Sequence, residues 1–439
     1  MTTRRRVITS GGVAGAALTL AACGGQAQDT GAAAPAGQLK VGSTLIFWNG
    51  QGGSYPALMT QWGERFQQKT GVKVEATGGI ASFDEKMTGS FAAGSPPDVW
   101  RYSPGTFPLP LAIERNMLLK IEPYVKRDKY DLNDFRKDSI DLYRWKGALH
   151  ALPRDYGLQL IYYNTDIFQK EGLPPIPADW NDKTWTFQKF LDACTRVTKG
   201  DRYALYVPRG DRLWASFVYS NGGAVVKKNG EGIATEIALT EKPATEALQL
   251  MQDLIYKHKV APLPSEEAGL GTPQSLLQNG RLAMWITNPS SNSNFKTVQG
   301  LPYDVGVFPL GAGQRRGVGG GGTAWGASGP TKLPEEAWQF MAFISSKEAE
   351  LDEVKIGQTT PSRISVGTGS EYLAPPPKSA RAFADGQEYV VRDPMHSKWT
   401  DINRDVVGKL MDDLLWTGKA TASQVTKEIK EKADPLLKS

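Results

Sequence analysis

Apolar and polar positions alternate along the chain in blocks that predict strands and helices in turn. The run "TLIFW" (Thr44–Trp48) is almost entirely apolar and predicts a strand that is buried on both faces. The next stretch, "PALMTQWGERFQQKTG", predicts a helix between Pro56 and Gly71, because its apolar residues recur every three or four positions. "VKVEAT", "SFDEKMTGSFAAG" and "PPDVWRY" continue as strand, helix and strand. This order predicts an α/β fold built on a parallel sheet with right-handed crossovers.

The same kind of pattern returns beyond residue 150. "LQLIYYN", "LAMWI" and "YDVGVFPL" predict strands, and "EKPATEALQLMQDLIYKHK" and "PEEAWQFMAFISS" predict helices that begin near a proline. The last forty residues have a helical pattern almost throughout. Loops rich in glycine and proline follow several of the strands. Ligands bind beyond the carboxyl ends of strands in open parallel sheets, so we expect the functional residues in these loops.

The first 38 residues predict an export signal and a tether. Three arginines, Arg4–Arg6, precede a short run of apolar and small residues, which indicates a signal peptide over residues 1–22. "TRRRVI" resembles a twin-arginine signal, although the general export route fits the arginines as well. Leu20–Cys23 resembles the lipobox of bacterial lipoproteins. We therefore expect lipid on Cys23, a flexible tether over residues 23–38, and a protein anchored by that lipid alone to the outer face of the cytoplasmic membrane.

The second cysteine has a different setting. Cys194 falls on the apolar face of a predicted helix in "TWTFQKFLDACTRVTKG", so we expect a small buried hydrophobic residue and not a reactive thiol. Without a disulfide, the exported chain must rely on its hydrophobic core, and 439 residues favour two domains. The formal charge is +5, of which Arg4–Arg6 supply three, and so mild a charge gives no support to nucleic-acid binding.

The sequence offers few signs of catalysis. The three histidines, His150, His258 and His396, are far apart in the sequence and lack metal-ligand spacing, and "GVGGGG" lacks the lysine of a phosphate-binding loop. We expect no metal and no cofactor. Asp98 and Asp155 are the carboxylates that would serve an exported glycoside hydrolase, which we keep as a remote alternative. Twelve tryptophans, together with amides and arginines in the loops, better suit the binding of a sugar.

Several segments resemble one known family, in the order in which that family has them. These are "LIFWNGQGGSY", "AAGSPPDVW", "LPRDYGLQLIYYNTDIF", "YSNGG", "LLQNGRLAMWI", "YDVGVFPLG" and "TPSRISV". The chain resembles the extracellular solute-binding proteins of carbohydrate ABC importers, the maltose-binding-protein-like family. The resemblance implies a two-lobed periplasmic-binding-protein-like fold of type II, with the ligand in a cleft between hinged lobes. It also implies a monomeric, non-enzymatic protein that delivers a sugar or oligosaccharide to a membrane permease.

The resemblance also implies where the chain crosses between the lobes. The N-terminal lobe is expected to comprise residues 39–153 and 308–340, and the C-terminal lobe residues 154–307 and 341–439. The crossings would then lie near residues 152–155, 307–311 and 340–345.

The residues of the ligand site are likewise implied by the resemblance. The loop after the first strand would contribute Asn49, Gln51, Ser54 and Tyr55, and the third strand would contribute Arg101 and Tyr102. The first crossing would contribute Arg154, Asp155 and Tyr156. Trp214 and Trp399 would stack against sugar rings, and Arg363 would lie on the ligand side.

One loop departs from the family pattern. Where the family often has a tryptophan after the "AMWI" strand, this chain has Asn288 and Ser290, which we expect to hydrogen-bond the ligand. Main-chain groups near Gly320, and Trp325 beyond them, would complete the cleft. Because three arginines occur among these positions, a phosphorylated polyol or glycerol phosphodiester remains the alternative ligand.

Overall fold

The computed structural model describes residues 37–313, 315–357 and 359–438. The predicted signal peptide, Cys23 and nearly all of the predicted tether lie outside the described residues. The strands are β1 (Thr44–Trp48), β2 (Lys73–Thr77), β3 (Val99–Tyr102), β4 (Arg144–Trp145), β5 (Ala148–Leu149), β6 (Leu152–Pro153), β7 (Leu160–Asn164), β8 (Val226–Lys228), β9 (Ala234–Ile237), β10 (Met284–Thr287), β11 (Tyr303–Gly306), β12 (Val318–Gly320), β13 (Ala324–Ala327) and β14 (Val390–Arg392).

Helices cover both lobes. They are α1 (Tyr55–Thr70), α2 (Phe83–Ala92), α3 (Leu109–Glu114), α4 (Glu122–Arg127), α5 (Lys137–Asp141), α6 (Thr165–Lys170), α7 (Phe187–Val197), α8 (Asp211–Ser220), α9 (Lys242–Tyr256), α10 (Glu267–Leu270), α11 (Pro273–Gln278), α12 (Asn292–Lys296), α13 (Pro334–Ile344), α14 (Lys347–Lys355), α15 (Ile364–Gly367), α16 (Ser370–Leu373), α17 (Arg381–Asp385), α18 (Trp399–Ile402) and α19 (Ala422–Leu437). Short 3₁₀ turns occur at Pro289–Ser291 and Gly386–Tyr389, and π-helical turns at Asn403–Gly408 and Met411–Leu415.

The first sheet has the strand order β2-β1-β3-β13-β6. As predicted, β1 lies parallel to both β2 and β3, and α1 and α2 connect them. Helix α1 ends as its sequence indicates, because Gly71 adopts a left-handed φ of 75° and its N–H caps the carbonyl of Gln67. The two remaining strands, β13 and β6, are antiparallel to their neighbours. The sheet is therefore mixed, and its last two strands come from segments that cross between the lobes.

The second sheet, β10-β7-β11, differs from the prediction. Strand β7 is buried along its whole length, but both neighbours run antiparallel to it. A continuous apolar run indicates burial on both faces and does not reveal the direction of the adjacent strands. The strand itself is therefore predicted by the sequence, whereas its pairing is not.

Two hydrophobic clusters define the lobes, and their limits differ from the expected ones. The N-terminal cluster contains residues from 45–152 and 324–349, and the C-terminal cluster contains residues from 158–318 and 372–437. Phe308 belongs to the C-terminal cluster because its ring packs edge-on against Phe217, with centroids 4.8 Å apart. Helices α13 and α14 pack on the N-terminal side. The chain therefore crosses at residues 153–157, 319–323 and 359–363, and not at 307–311 or 340–345.

Two further observations bear on the predicted class. Within the described ranges, no helix combines the length and the apolar character that crossing a bilayer requires. Cys194 lies buried in α7, as its helical pattern predicts, and burial raises the pKa of its thiol well above the ordinary value.

Candidate functional site: the cleft between the lobes

The lobes touch each other across a cleft that lies beside the crossing segments. Thr400 Oγ1 from the C-terminal lobe donates to the carbonyl of Gly105 in the loop after β3, at 3.0 Å. Nearer the crossings, Arg136 Nη2 donates to the carbonyl of Ala384 at 2.9 Å. A cavity of about 280 Å³ is lined by both lobes: Pro104, Pro108, Leu109, Asp141, Leu142 and Arg144 on one side, and Lys228, Glu231, Gly232 and residues 392–395 on the other.

The structure brings together the two tryptophans that the sequence suggested as stacking residues. Trp214 in α8 and Trp399 at the start of α18 line one small cavity of about 20 Å³, together with Asp211 and Asn403. A wider groove of about 490 Å³ continues from Asp211, Trp214 and Asn403 towards Trp416. Thr400, which contacts the N-terminal lobe, directly follows Trp399. We call the group Asp211, Trp214, Trp399 and Asn403 the aromatic pocket.

An ion pair lies beside the aromatic pocket. Arg212 binds Asp393 through both Nε, at 3.0 Å, and Nη2, at 2.5 Å. Burial disfavours the charged guanidinium, but the adjacent Asp393 outweighs burial and raises the pKa of Arg212. Burial, together with the negative charge of Asp393, raises the pKa of Asp211. The pocket thus combines aromatic faces with acceptors and a fixed ion pair.

Several buried polar atoms among the residues suggested for the site lack a hydrogen-bond partner in the described part of the chain. In the N-terminal lobe these are Asn49 Nδ2, Gln51 Oε1 and Arg101 Nε. The hydroxyl groups of Tyr143 and Tyr156 are also buried and have no hydrogen-bond partner among the described residues. A buried donor or acceptor without a partner is costly, so such atoms mark positions that a ligand or water would satisfy.

The first crossing contains a buried network and not a set of free ligand contacts. Arg154 donates through Nε to Glu353 Oε1 at 2.8 Å, and through Nη1 to Asp155 at 2.5 Å and Thr323 Oγ1 at 3.1 Å. Its Nη2 contacts the hydroxyl of Tyr55, which itself donates to Glu353 at 2.5 Å. Arg154, Tyr55 and Glu353 are each 2 % exposed or less. The guanidinium is therefore committed to holding the crossing segments together.

Most of the chain matches one known protein family. The sequence profile of the bacterial extracellular solute-binding proteins matches residues 49–351. The chain belongs to this family. The family match and the similarity to solved structures confirm the predicted two-lobed fold. The members of this extracellular family are solute-binding proteins, so the chain is a binding protein and not an enzyme.

Individual relatives match nearly the whole chain of this solute-binding protein. The diacetylchitobiose-binding protein DasA of Streptomyces coelicolor is 24% identical over 92% of this chain and 91% of its own length. An ABC substrate-binding protein of Listeria monocytogenes, solved in complex with cycloalternan, superposes with a TM-score of 0.77 at 21% identity, over 90% of this chain and 99% of its own. The sugar-binding protein MalE of Xanthomonas citri gives a TM-score of 0.76 at 19% identity, over 90% and 98%.

Two aromatic residues suggested for the cleft of this solute-binding protein lie in the N-terminal core. Trp325 is 1% exposed and packs edge-on against Phe47 and Trp62. Tyr102 is fully buried, and its hydroxyl donates to the carbonyl of Phe107 at 2.7 Å. Both residues lie on central strands of the first sheet, where side chains on either face are covered, so neither serves as a cleft residue here.

Arg363 is also fully engaged. It donates through Nε to the carbonyl of Ser345 at 2.7 Å, through Nη1 to Asp134 at 3.1 Å and through Nη2 to the hydroxyl of Tyr130 at 2.8 Å. All three partners lie between the N-terminal-lobe helices, so Arg363 anchors the third crossing to that lobe. Of the three candidate arginines, only Arg101 has no polar partner in the described ranges; its guanidinium lies 5.7 Å from the ring centre of Phe83.

The remaining suggested residues are dispersed. Asn288 Oδ1 accepts from the N–H of Ser290 at 3.1 Å, and both residues form a local turn apart from the aromatic pocket. Gly320 pairs with Arg392 in the register of β12 and β14. Ser54 is exposed at the start of α1 and does not cap it. The structure thus unites Trp214 with Trp399, and Tyr55 with Arg154 and Asp155, but it does not unite all the candidates in one site.

The structure also reveals residues around the aromatic pocket that sequence reasoning missed, namely Asp211, Arg212, Asp393, Thr400 and Asn403. Asp211 and Arg212 lie within three positions of Trp214, directly after the loop "YVPRG". A polar pair next to a candidate stacking residue at a helix start is a signal that could have found them. Asp393 has no such signal, because only the fold brings it to Arg212.

Stability is expected to fall as the pH rises from 6.5 to 8. Burial raises the pKa of both Glu350 and Glu353 to about 7, above the value of about 4.5 in the unfolded chain. Their contribution is thus complete below pH 4.5 and is lost as the pH rises through 7. We expect a loss of about 1–2 kcal/mol in the free energy of unfolding, measured by urea denaturation at both pH values.

A double variant provides the control for this pH dependence. Glu350→Gln with Glu353→Gln removes both titrating groups and should flatten the profile in this range. Burial lowers the pKa of His150 to about 4, so that histidine is neutral in the folded protein throughout the range tested. If the free energy of unfolding fell equally with pH in the wild type and the double variant, Glu350 and Glu353 would not be the source of the pH dependence.

Proposed function

We propose that this solute-binding protein captures a sugar or oligosaccharide in the cleft between its lobes and delivers it to the permease of an ABC importer. The observation that carries the proposal is the cavity of about 280 Å³ that both lobes line, together with the adjoining aromatic pocket. Two tryptophans lie beside the acceptors Asp211 and Asn403, at the point where the C-terminal lobe contacts the loop after β3. Sugars present apolar C–H faces to aromatic rings and hydroxyl groups to such acceptors.

The opposite lobe supplies complementary groups. Asn49 Nδ2 and Gln51 Oε1 are a donor and an acceptor, respectively, in the loop after β1, and they have no partner among the described residues. A neutral polyol needs both kinds of group, because each hydroxyl donates and accepts. Relatives with known ligands are consistent with this class: DasA binds diacetylchitobiose, and the Listeria protein was solved with cycloalternan.

The structure gives less support to a phosphorylated ligand. That alternative required several arginines in the cleft, but Arg154 and Arg363 have their guanidinium groups bound to protein acceptors. Redirecting either one would leave a buried carboxylate or carbonyl without its donor, which is costly. Of the three arginines suggested from the sequence, only Arg101 has no acceptor among the described residues. We therefore favour a neutral carbohydrate over a sugar phosphate.

A thermal-shift screen tests the proposed ligand class. Maltose, diacetylchitobiose, an arabinooligosaccharide and sn-glycerol 3-phosphate would be titrated against the purified protein. A true ligand should raise the unfolding temperature progressively with its concentration. We expect at least one neutral carbohydrate to do so and glycerol phosphate not to. If glycerol phosphate were the only compound that stabilised the protein, the proposed ligand would be a phosphorylated polyol and not a neutral carbohydrate.

We further propose that lipid on Cys23 holds the protein at the outer face of the cytoplasmic membrane as a monomer. The proposal is supported by the lipobox-like sequence Leu20–Cys23 and by the basic and apolar residues that precede it. Cys23→Ala is expected to move the protein from the membrane fraction to the soluble fraction, as measured by immunoblotting of fractionated cells. Cys194→Ala serves as the control, since Cys194 is a buried residue of α7. Cys23→Ala protein that stays with the membranes would contradict lipid anchoring.

A further inference from the structure

Two glutamates one turn apart on α14 bind the first and the third crossing segments. Glu353 Oε1 accepts from Arg154 Nε in the first crossing at 2.8 Å. Glu350 Oε1 accepts from the N–H and the hydroxyl of Ser362 in the third crossing, at 2.7 and 2.8 Å. The second crossing joins through Thr323, whose N–H donates to Asp155 at 2.5 Å. Every crossing is therefore connected by side-chain hydrogen bonds to one buried cluster.

The same cluster reaches the start of α1, which follows the loop after β1. Tyr55 is the first residue of α1 and directly follows the loop that contains Asn49 and Gln51. Its hydroxyl donates to the same Glu353 oxygen that accepts from Arg154, at 2.5 Å. A single carboxylate oxygen thus links the start of α1 to the first crossing. A change in that carboxylate acts on both.

The cluster contains more negative than positive charge. The carboxylates of Glu350, Glu353 and Asp155 face the guanidinium of Arg154, with the hydroxyl of Tyr55 between them. Arg363 contributes its main-chain N–H to Glu350, but its guanidinium points to Asp134. Burial raises the pKa of Glu353 to about 7, partly offset by Arg154. Burial therefore makes this carboxyl bind a proton more readily than an exposed glutamate does.

We propose that Glu353 is a positioning residue for lobe closure, and that its charged carboxylate favours the arrangement in which the lobes touch. The ionised group holds Arg154 and Tyr55 in place, and Arg154 in turn holds Thr323 and Asp155. Loss of the charge releases the strongest of these hydrogen bonds, since bonds to ionised groups are about twice as strong as neutral ones. The lobes then open more often. The inference rests on the proposed function in that closure of the lobes is what captures the ligand.

The test uses the ligand-free protein, so its result does not depend on the identity of the sugar. Small-angle X-ray scattering at pH 6 and pH 8 would measure the radius of gyration. We expect a larger radius at pH 6 in the wild type, and the pH 6 value at both pH values in Glu353→Gln. Glu348→Gln is the matched control, because Glu348 is an exposed residue of the same helix, and it should behave as wild type.

Two further variants keep the test decisive. Tyr55→Phe removes one hydrogen bond to the ionised carboxylate and should shift the midpoint of the change to higher pH. This result stands even if Glu353→Gln folds poorly. Glu350→Gln should leave most of the change in place.

The proposal is overturned if the wild-type radius does not depend on pH, or if folded Glu353→Gln retains the wild-type change. It is also overturned if Glu350→Gln alone abolishes the change. A scattering result that contradicts this proposal does not affect the proposed carbohydrate ligand. Conversely, a screen in which no carbohydrate stabilises the protein does not affect the scattering measurement, which uses no ligand.

Discussion

Replacing Gly322 by alanine is expected to destabilise the protein by about 3 kcal/mol and to disturb the crossing segments directly. A Cβ at this position would overlap the carbonyl oxygen of Asp155 and lie 2.8 Å from its carbonyl carbon. Both contacts are main-chain atoms of another crossing, which cannot rotate away as a side chain could. Urea denaturation would give the loss in the free energy of unfolding, and calorimetry would show weakened binding of any carbohydrate found in the screen.

Gly89→Ala is the matched control. Gly89 lies inside α2, where a Cβ would meet no atom within 4 Å. Alanine has the higher helix propensity, so this variant should gain about 0.5–1 kcal/mol. If Gly322→Ala were as stable as wild type, the crossings would have to be packed less tightly than the structure shows.

The second large effect is expected at the aromatic pocket. Trp399→Ala should weaken carbohydrate binding by about 10- to 100-fold, because truncating a buried aromatic anchor typically costs 1.4 kcal/mol or more. Trp214→Ala should act in the same direction, since both side chains line the same cavity. Isothermal titration calorimetry with the sugar identified by thermal shift would measure the dissociation constants.

A buried tryptophan outside the cleft separates binding from stability. Trp338 is 1% exposed in the N-terminal core, and its indole N–H donates to Asp128 at 2.7 Å. Trp338→Ala should lower the unfolding midpoint as Trp214→Ala does, but it should leave the dissociation constant unchanged at a temperature where both variants are folded. Unchanged affinity in both Trp214→Ala and Trp399→Ala would remove the aromatic pocket as the sugar site.

The sequence predicts the local elements well, because their signals are local. The apolar face of α1, its end at Gly71 and the buried strand β7 all follow from spacing and residue type within about fifteen positions. The antiparallel entry of β13 into the first sheet does not follow, because Trp325 pairs opposite Arg101, which is more than two hundred residues earlier. Distant pairings of this kind have no signature in either segment alone.

The candidate site was predicted less completely, for a related reason. An arginine that binds a ligand and one that ties segments together look alike in a sequence. Arg154 and Arg363 are distinguished only by their partners Glu353, Asp134 and Tyr130, which the fold supplies. The glycine run 319–322 was expected near the ligand, but Gly319 packs on the main chain of Arg212, and Gly322 on that of Asp155.

The crossings have a mechanical consequence. Gly157 and Gly321 exchange main-chain hydrogen bonds of 2.7 and 3.1 Å, and the N–H of Tyr156 donates to the carbonyl of Thr360 at 2.9 Å. The three crossings therefore form a narrow ribbon of paired backbones and not three independent loops. Hydrogen bonds between the crossings oppose the sliding of one crossing past another. Because the paired segments must move together, we expect the lobes to return to the same relative orientation after each release of ligand.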